Sequence, residues 1–397
     1  MIQTGLDRLG FEEARLVRGR KVALLANPAS VDSSLRHARD VLVAAGAKIM
    51  ALLGPEHGFG GAAQDMEGVA DAPDPVTGAP IYSVYGDSFE SLTPRDEMLA
   101  GADLLVIDLQ DVGVRYYTFV WTAVLAMERA ISRGKAILVL DRPNPLGGTI
   151  VEGAPQSRGF TSFVGLRPVA VRHGLTIGEL LTGLAADANK SAFVHILEAT
   201  GWNRSMQFKE TELPWVLPSP NMPHISTARV YAGMCLLEAT EVSEGRGTTR
   251  PFEIFGAPWL DGNRLAQLLA KDQLPGCAFR PLSFRPTFHK FAGQVCGGCQ
   301  LHVLDTNAFK PFRTGVGVLR AIRKVHPDKF AWRAKPYEFV GDIPAIDLLT
   351  GSAEVRKGIE ADASLDEIAG TWAPGEEEFR KARARWFRYG APPPRRR

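Results

Sequence analysis

Four short apolar segments, separated by stretches of helical periodicity, most constrain how this chain can fold. They read KVALLA at 21–26, KIMALL at 48–53, LLVID at 104–108 and AILVLD at 136–141. Strands without polar alternation are typical of a parallel sheet that helices cover on both faces. The first half of the chain therefore predicts a Rossmann-like, doubly wound α/β domain with a mostly parallel sheet.

The pattern changes after about residue 243, where alternating strands at 279–303 predict antiparallel pairing. We place a domain boundary near residue 245, between an α/β catalytic domain at 1–245 and a smaller α+β domain at 246–397 that closes a cleft. Other strands are expected at 169–171 and 192–197. Helices are expected at about 33–45, 122–133, 226–239 and 315–325, and through most of 354–385.

The charge balance excludes partners that bind by electrostatic attraction alone. Over 397 residues the formal net charge is +2, so no strong field favours nucleic acid or a membrane surface. No stretch reaches the roughly 18 apolar residues of a membrane-spanning helix. The N-terminus lacks the pattern of a signal peptide, so a cytoplasmic protein is expected, or an exported one if a signal was removed. The ending PPPRRR at 392–397 predicts a solvated tail rather than a phosphate contact.

Four cysteines in a chain of this length do not make a disulfide framework. Cys296 and Cys299 have the CxxC spacing of redox and zinc sites. Cys235 and Cys277, however, do not form the second ligand pair that a zinc site needs. Segment 293–303 also has the composition of a strand with small buried cysteines. We therefore expect neither a metal nor another cofactor.

Polar side chains follow three of the predicted parallel strands, at the point where each strand ends. The loops read GPEHGFGG at 54–61, DLQDVGVRYYT at 108–118 and DRPNPLGG at 141–148. Ligands bind beyond the carboxyl ends of the strands in open parallel sheets. The three loops therefore predict one substrate site, with Asn144 of the third loop among the binding residues.

Glu56 is the main catalytic candidate. Glycine and proline fix the backbone around it, and a carboxyl group shielded by Phe59 and loop backbone suits a general acid. The alternative interpretation is a helix cap or an ion pair with an arginine. His57 stands beside Glu56 and is a second catalytic candidate, although a histidine here is also consistent with a hydrogen bond to a neighbouring loop.

The loop at 108–118 supplies most of the predicted binding residues. An arginine fork suits recognition of a carboxylate, and the carboxyl and amide groups suit sugar hydroxyls or an amide. The alternatives are a network that supports the Glu56 loop and, for the tyrosines, a place in the core. The predicted binding residues of this loop are Asp108, Gln110, Asp111, Arg115 and Tyr116.

Two later loops add further candidates. The rigid sequence LPSPNMP at 217–223 presents Asn221 as its polar tip. Glu244 and Arg246 lie at the predicted domain boundary, and clefts between domains are favoured ligand sites. Glu244 is therefore the second candidate catalytic carboxylate and Arg246 a candidate binding residue, with an interdomain salt bridge between them as the alternative.

Several motifs of other enzyme classes are absent from the sequence. No G-x-G-x-x-G follows the first strand, and the Walker B-like strand at 104–108 has no P-loop partner. The G-x-S-x-G elbow of serine esterases and the H-E-x-x-H of zinc proteases are also absent. The remaining chemistry is that of carboxylates among hydrogen-bonding loops, which is typical of glycoside hydrolysis.

The ordered motifs resemble the bacterial exo-acting β-N-acetylmuramidases of the NamZ type, formerly a domain of unknown function. The resemblance spans nearly the whole chain: five motifs occur in order, and a late segment also resembles the C-terminal domain of the family. They are GPEHGF at 54–59, QDVGVRYYT at 110–118, DRPNPLGG at 141–148, PSPNMP at 218–223, EGRGTT at 244–249 and CQLHV at 299–303.

The resemblance implies a glycoside hydrolase that releases terminal N-acetylmuramic acid from the non-reducing end of peptidoglycan fragments. It implies a Rossmann-like domain, a smaller C-terminal domain and a cleft between them. The proposed catalytic glutamate of the family corresponds to Glu56. Gly60 stands where the family often has arginine, which removes one possible substrate contact.

A mechanism consistent with this resemblance makes Glu56 the acid that protonates the leaving oxygen. Glu244 or Asp111 then acts as base or nucleophile, unless the substrate's own acetamido group is the nucleophile. The lactyl carboxylate suits Arg115 or Arg246. The acetamido group suits an amide such as Asn221 or Gln110.

Two other functions are consistent with the same residues. One is a protein that binds muropeptides without hydrolysing them. The other is a metal-dependent amidase or deacetylase that uses His57, Asp108 and His302.

Overall fold

The computed structural model describes residues 2–64 and 67–390, and a seven-stranded sheet forms its centre. In chain order its strands are β1 Lys21–Ala26, β2 Lys48–Gly54, β3 Ala72–Pro73, β4 Pro80–Ser83, β5 Leu104–Asp108, β6 Ala136–Leu140 and β7 Val194–Leu197. They lie in the order β3-β4-β2-β1-β5-β6-β7. Neighbouring strands are parallel except for β3 and β4. The predicted Rossmann-like, mostly parallel sheet is confirmed.

Helices cover this sheet and make up much of the second half of the chain. The α-helices of the described residues are α1 Gly5–Phe11, α2 Ala38–Ala44, α3 Asp96–Ala100, α4 Phe119–Ser132, α5 Ile177–Asp187, α6 Phe208–Thr211, α7 Ile225–Met234, α8 Gly262–Lys271, α9 Pro311–Val325, α10 Ala345–Thr350, α11 Glu354–Glu360 and α12 Leu365–Ala382. The helices predicted near 122–133, 226–239, 315–325 and 354–385 are confirmed.

Both faces of the large sheet are buried, as the apolar runs predict. On β1, Ala23 and Leu25 belong to one apolar cluster, whereas Val22 and Leu24 belong to another. The second cluster also contains residues of α1 and α2, and the first contains residues of α4 and α5. This burial on two sides explains why the strands lack polar alternation.

A second, smaller sheet follows the large one in the chain. It consists of β8 Ile254–Ala257, β9 Cys277–Phe284 and β10 Cys296–Val303, in the order β8-β10-β9. Both pairs are antiparallel, which confirms the prediction from the alternating pattern at 279–303. The boundary near residue 245 stays a prediction.

Two local predictions were wrong. Residues 169–171 are not a strand, and only Arg172 next to them forms isolated bridges, with Val114 and Glu152. Periodicity alone does not distinguish a short buried apolar run from a strand. Helix α2 begins at Ala38 rather than near residue 33, because Asp32 accepts hydrogen bonds from the backbone of the preceding loop at 34–36.

The two cysteines of the CxxC motif lie on β10 as buried side chains. Burial raises the pKa of the Cys299 thiol to about 12. In residues 2–64 and 67–390 no three histidine, cysteine or acidic side chains are grouped so that they could hold a metal ion. Nor does that part of the chain contain a helix long and apolar enough to cross a membrane. The basic tail at 392–397 lies outside the described residues.

Candidate active site

The loop after β2 turns sharply and places Glu56 inside the protein. His57 and Gly58 adopt left-handed backbone conformations, with φ of 72° and 79°. A Cβ atom on Gly54 would lie 2.0 Å from the backbone nitrogen of Phe59, so the turn requires glycine at its start. The sequence GPEHG thus fixes Glu56 at the carboxyl end of β2, where it is 7% exposed.

A hydrogen bond holds the Glu56 carboxylate in place. The Thr118 hydroxyl group, at the start of α4, donates to Oε2 of Glu56 over 2.8 Å. Nδ1 of His57 lies 2.9 Å from the carbonyl oxygen of Ala63. Because a carbonyl oxygen only accepts, His57 carries its proton on Nδ1 in this contact. One of the two ring nitrogens of His57 therefore bonds loop backbone, as the alternative interpretation of this residue expects.

Glu56 and His57 line the same cavity. The loop after β5 contributes Tyr116, Tyr117 and Thr118, and the loop at 217–223 contributes Ser219, Asn221 and Met222. Charged side chains from later in the chain complete the wall. They are Glu238, Arg246, His289, Arg333 and Glu338.

Strained backbone is concentrated around this cavity. Four of its lining residues that are not glycine have positive φ angles: His57, Phe252 at 62°, His289 at 67° and Glu338 at 46°. Such conformations cost free energy and persist where the surrounding structure enforces them, which is often at functional sites. The strain supports a functional role for the cavity.

Glu244 lies behind the cavity wall rather than on it. Its carboxylate is fully buried, with Lys290 Nζ at 2.9 Å, His289 Nδ1 at 3.0 Å and Arg246 Nε at 3.3 Å. Burial alone would raise the pKa of Glu244, but the adjacent Lys290 ammonium, with His289 and Arg246, holds that pKa well below its usual range. The expectation that Glu244 faces the substrate is thus corrected. The alternative interpretation, a salt bridge between Glu244 and Arg246, agrees with the structure.

Arg246 does line the cavity, as predicted for a binding residue. Its Nη2 donates to Glu238 Oε1 over 2.7 Å, and the other oxygen of Glu238 accepts from the Tyr337 hydroxyl group over 2.7 Å. Arg246 therefore lies between the carboxylates of Glu238 and Glu244. These contacts fix the guanidinium group at the wall.

The structure does not bring Asp108 or Asn144 to the cavity. Asp108 is fully buried and forms two hydrogen bonds with Arg142, of 2.5 and 2.9 Å. The Asn144 amide donates to the carbonyl oxygen of Leu175, and its oxygen accepts from the backbone of Leu146. Both side chains connect neighbouring loops, which corrects their expected contact with the substrate.

Gln110 and Asp111 are also removed from this cavity. Gln110 Nε2 donates to the carbonyl oxygen of Asp111 over 2.8 Å, and Gln110 lines a separate, smaller pocket beside Trp215. Asp111 Oδ2 accepts from the backbone N–H of Gly113 over 2.5 Å. Burial raises the pKa of Asp111 to about 7 against the effect of that hydrogen bond. The expectation that these two residues contact substrate in the Glu56 cavity is therefore corrected.

Arg115 belongs to the core. It is fully buried, and its guanidinium group donates to the carbonyl oxygens of Ala154, Val169 and Leu349 at 2.6–2.9 Å. Burial lowers the pKa of Arg115 to about 10. The expectation that it binds a substrate carboxylate is corrected, because three backbone segments use its donors. Tyr116 does line the cavity, and its hydroxyl group donates to the carbonyl oxygen of Ala232.

Sequence reasoning missed four charged residues of the cavity. His289, Arg333 and Glu338 come from stretches without a recognisable motif, and only the fold brings them to Glu56. Glu238 lies a few residues before the polar loop at 241–250, and this proximity was the one available signal.

The fold and the cavity together define an α/β protein whose carboxylates, arginines and aromatic rings suit an enzyme that cleaves sugars. The chain belongs to the NamZ family of exo-β-N-acetylmuramidases. The N-terminal model of Exo-beta-N-acetylmuramidase NamZ matches residues 22–226, and the C-terminal model matches residues 229–389.

Known proteins of similar sequence and structure agree with this assignment. Peptidoglycan beta-N-acetylmuramidase NamZ of Bacillus subtilis (strain 168) is 40% identical over 389 residues, which cover 98% of this chain and 91% of the relative. Crystal structures of two DUF1343 family proteins from Bacteroides fragilis superpose with TM-scores of 0.89 and 0.77. They are 32% and 26% identical, and each match covers 98% of this chain and 99% of the other.

Proposed function

We propose that this protein is an exo-β-N-acetylmuramidase that removes terminal N-acetylmuramic acid from the non-reducing end of peptidoglycan fragments. The observation that carries the proposal is the position of Glu56. Its carboxyl group is held by Thr118 at a cavity shared by both halves of the chain. Membership of the NamZ family gives the substrate class.

In this mechanism Glu56 donates a proton to the glycosidic oxygen as the bond from that oxygen to the sugar carbon breaks. The water that completes hydrolysis leaves its hydroxyl group on that carbon and passes its remaining proton to a carboxylate. Glu244 acts at a distance, because its buried carboxylate holds His289 and Arg246 in position at the cavity wall. Glu244 is therefore a positioning residue in this proposal.

A second carboxylate, unless the substrate's own acetamido group is the nucleophile, comes from the cavity itself. Among the described residues that line it, Glu238 and Glu338 are the acidic side chains besides Glu56. Glu238 is occupied by Arg246 and by the Tyr337 hydroxyl group. We assign the second role, that of the carboxylate that accepts the proton of the attacking water, to Glu338, which lines the cavity on strained backbone and accepts a hydrogen bond from the Tyr85 hydroxyl group over 3.4 Å.

Recognition of the lactyl carboxylate falls to the arginines of the cavity. Arg246 and Arg333 both line it, and guanidinium groups bind carboxylates through paired donors. Arg246 is held rigidly by Glu238 and Glu244, which favours a fixed geometry for the incoming group.

The proposal is tested by hydrolysis of a chromogenic N-acetyl-β-muramide without added metal. The wild-type protein is expected to release the chromophore, and Glu56→Gln to lose at least a thousandfold in kcat while keeping the wild-type unfolding midpoint. Glu378→Gln changes an exposed glutamate of α12 and is the matched control, with wild-type activity. Substantial turnover by Glu56→Gln would remove Glu56 from the mechanism.

The same assay separates hydrolysis from the other two functions. Binding of the disaccharide of N-acetylmuramic acid and N-acetylglucosamine without any product would indicate a binding protein. Loss of turnover after chelation would indicate a metal-dependent hydrolase.

A further inference from the structure

The hydroxyl group of Tyr117 is a buried polar group without an internal hydrogen bond. Tyr117 lines the Glu56 cavity and is 5% exposed. Within residues 2–64 and 67–390, no donor or acceptor meets its hydroxyl group with hydrogen-bond geometry. The adjacent Tyr116 is different, because its hydroxyl group donates to the carbonyl oxygen of Ala232. Buried polar groups are almost always satisfied in native proteins, so an exception in a cavity points to a missing ligand.

The surroundings of Tyr117 show what kind of ligand would fit. Ser219, from the loop at 217–223, lies close enough to the Tyr117 hydroxyl group to lower its pKa but does not meet it with hydrogen-bond geometry. Asn221 of the same loop lines the same cavity. The Asn221 amide nitrogen donates to Gln64 Oε1 over 3.0 Å. This bond fixes the amide and leaves its oxygen as an acceptor. A donor from Tyr117 and an acceptor from Asn221 are thus both present among the residues that line the cavity.

We propose that Tyr117 and Asn221 together bind the 2-acetamido group of the substrate sugar. The Tyr117 hydroxyl group donates to the acetamido carbonyl oxygen, and Asn221 Oδ1 accepts the acetamido N–H. This inference rests on the proposed function and extends it to the residues that select an N-acetylated sugar. Two cavity residues, Met222 and Phe252, supply apolar surface for the methyl group.

An amide fits this pair better than a carboxylate does. A carboxylate has only acceptor atoms, so Asn221 Oδ1 would repel it. Burial raises the pKa of Tyr117 well above its ordinary value, and the nearby carboxylates of Asp111 and Glu56 act in the same direction. The phenol therefore stays protonated and remains a donor at neutral pH.

The proposal makes an unusual prediction about stability. Tyr117→Phe removes a hydroxyl group that makes no internal hydrogen bond, so the unfolding midpoint should stay the same or rise. Tyr116→Phe is the matched comparison, because it removes a group that is bonded to Ala232 and should lower the midpoint. A group retained for substrate at the expense of stability behaves in this way.

The decisive experiment measures binding by calorimetry with two sugars. One is N-acetylmuramic acid, and the other is its analogue with a hydroxyl group in place of the acetamido group. Tyr117→Phe is expected to weaken binding of N-acetylmuramic acid about tenfold, as loss of one buried hydrogen bond implies, and to change binding of the analogue less than about twofold. Asn221→Leu should show the same selectivity.

Equal weakening for both sugars, or no weakening for either, would overturn the assignment of Tyr117 and Asn221. Such a result would leave the proposed function intact if the wild-type protein still hydrolyses the chromogenic N-acetyl-β-muramide. A wild-type protein that neither binds N-acetylmuramic acid nor hydrolyses the muramide would overturn the proposed function itself.

Discussion

Thr118 Oγ1 lies 2.8 Å from Glu56 Oε2, and this hydrogen bond joins two loops that are far apart in the sequence. Glu56 follows β2, whereas Thr118 lies between β5 and α4. β1 lies between β2 and β5 in the sheet, and all three strands are parallel. Their carboxyl ends therefore lie on one edge, where a hydroxyl group of one loop can orient the acid of another.

Replacing Thr118 by valine tests whether this contact serves catalysis. Thr118→Val keeps the shape of the side chain but removes the donor, so kcat is expected to fall about tenfold or more, the usual effect of losing a hydrogen bond to a charged group. The Thr118 side chain does not cap α4, so the unfolding midpoint should change little. Steady-state kinetics and thermal unfolding of the same preparation give both values.

Thr118→Ser is the control for this prediction, because serine keeps the hydroxyl group and should keep most of the activity. If Thr118→Val retains wild-type kcat, the contact does not orient the catalytic acid. If both variants lose activity equally, packing of the threonine methyl group is responsible instead.

Replacing Glu244 by glutamine tests its position behind the cavity wall. Glu244→Gln leaves the Lys290 ammonium and the Arg246 guanidinium next to a neutral buried side chain, and loss of one partner from a buried ion pair costs about 3–5 kcal/mol. We expect a lower free energy of unfolding in urea together with a lower kcat, because His289 and Arg246 lose their anchor. Glu377→Gln, which removes the partner of exposed Arg380 and Lys381, should stay close to wild type.

Wild-type stability in Glu244→Gln would contradict the buried network. Normal kcat with reduced stability would show that Glu244 supports the fold without positioning the site. A change in the partner of Glu244 tests substrate binding. Arg246→Lys should raise KM more than it lowers kcat, because lysine lacks the paired donors that suit the lactyl carboxylate of the substrate.

The sequence predicted the parts of the site that depend on local pattern. Apolar runs located the parallel strands, and the carboxyl ends of such strands located Glu56. Asn221 and Arg246 were found because each lies in a loop of glycine, proline and polar residues. At these positions the functional residue and the residues that shape its loop are consecutive in the chain, so one segment is enough to predict the functional residue.

The role of an individual polar residue in such a loop could not be predicted in the same way. Asp108 and Arg115 are residue types that bind sugars. Asp108, however, accepts hydrogen bonds from Arg142, and Arg115 donates to three backbone carbonyl groups. Their partners are 34 to 234 residues away in the sequence. His289 and Glu338 reach the cavity through the fold of the second half, which no local pattern reveals.

The pH dependence of stability gives a separate test of Asp111. Burial raises the pKa of its carboxyl group from the ordinary value of 3.8 to about 7, so the folded protein binds this proton more tightly than the unfolded chain. The wild-type protein therefore loses stability from this group as the pH rises from about 4 to about 7. Asp111→Asn removes the titration and keeps an oxygen for the Gly113 N–H.

Urea unfolding at pH 5 and pH 8 measures this effect. The difference in unfolding free energy between Asp111→Asn and wild type should shift in favour of the variant at pH 8, by about 2–3 kcal/mol. Glu152 also has a raised pKa, of about 7, but both proteins contain it, so its contribution cancels. If the unfolding free energies of the variant and the wild-type protein depend on pH in the same way, burial does not raise the pKa of Asp111.

Arg115 provides the clearest contrast between a structural and a substrate-binding arginine. Arg115→Lys keeps the positive charge but not the fork that reaches Ala154, Val169 and Leu349. Several buried carbonyl oxygens lose their donor, so the free energy of unfolding should fall by about 3 kcal/mol. KM for the muramide, measured well below the unfolding midpoint, should stay near wild type because Arg115 does not line the cavity. A large rise in KM at unchanged stability would instead mean that Arg115 contacts the substrate.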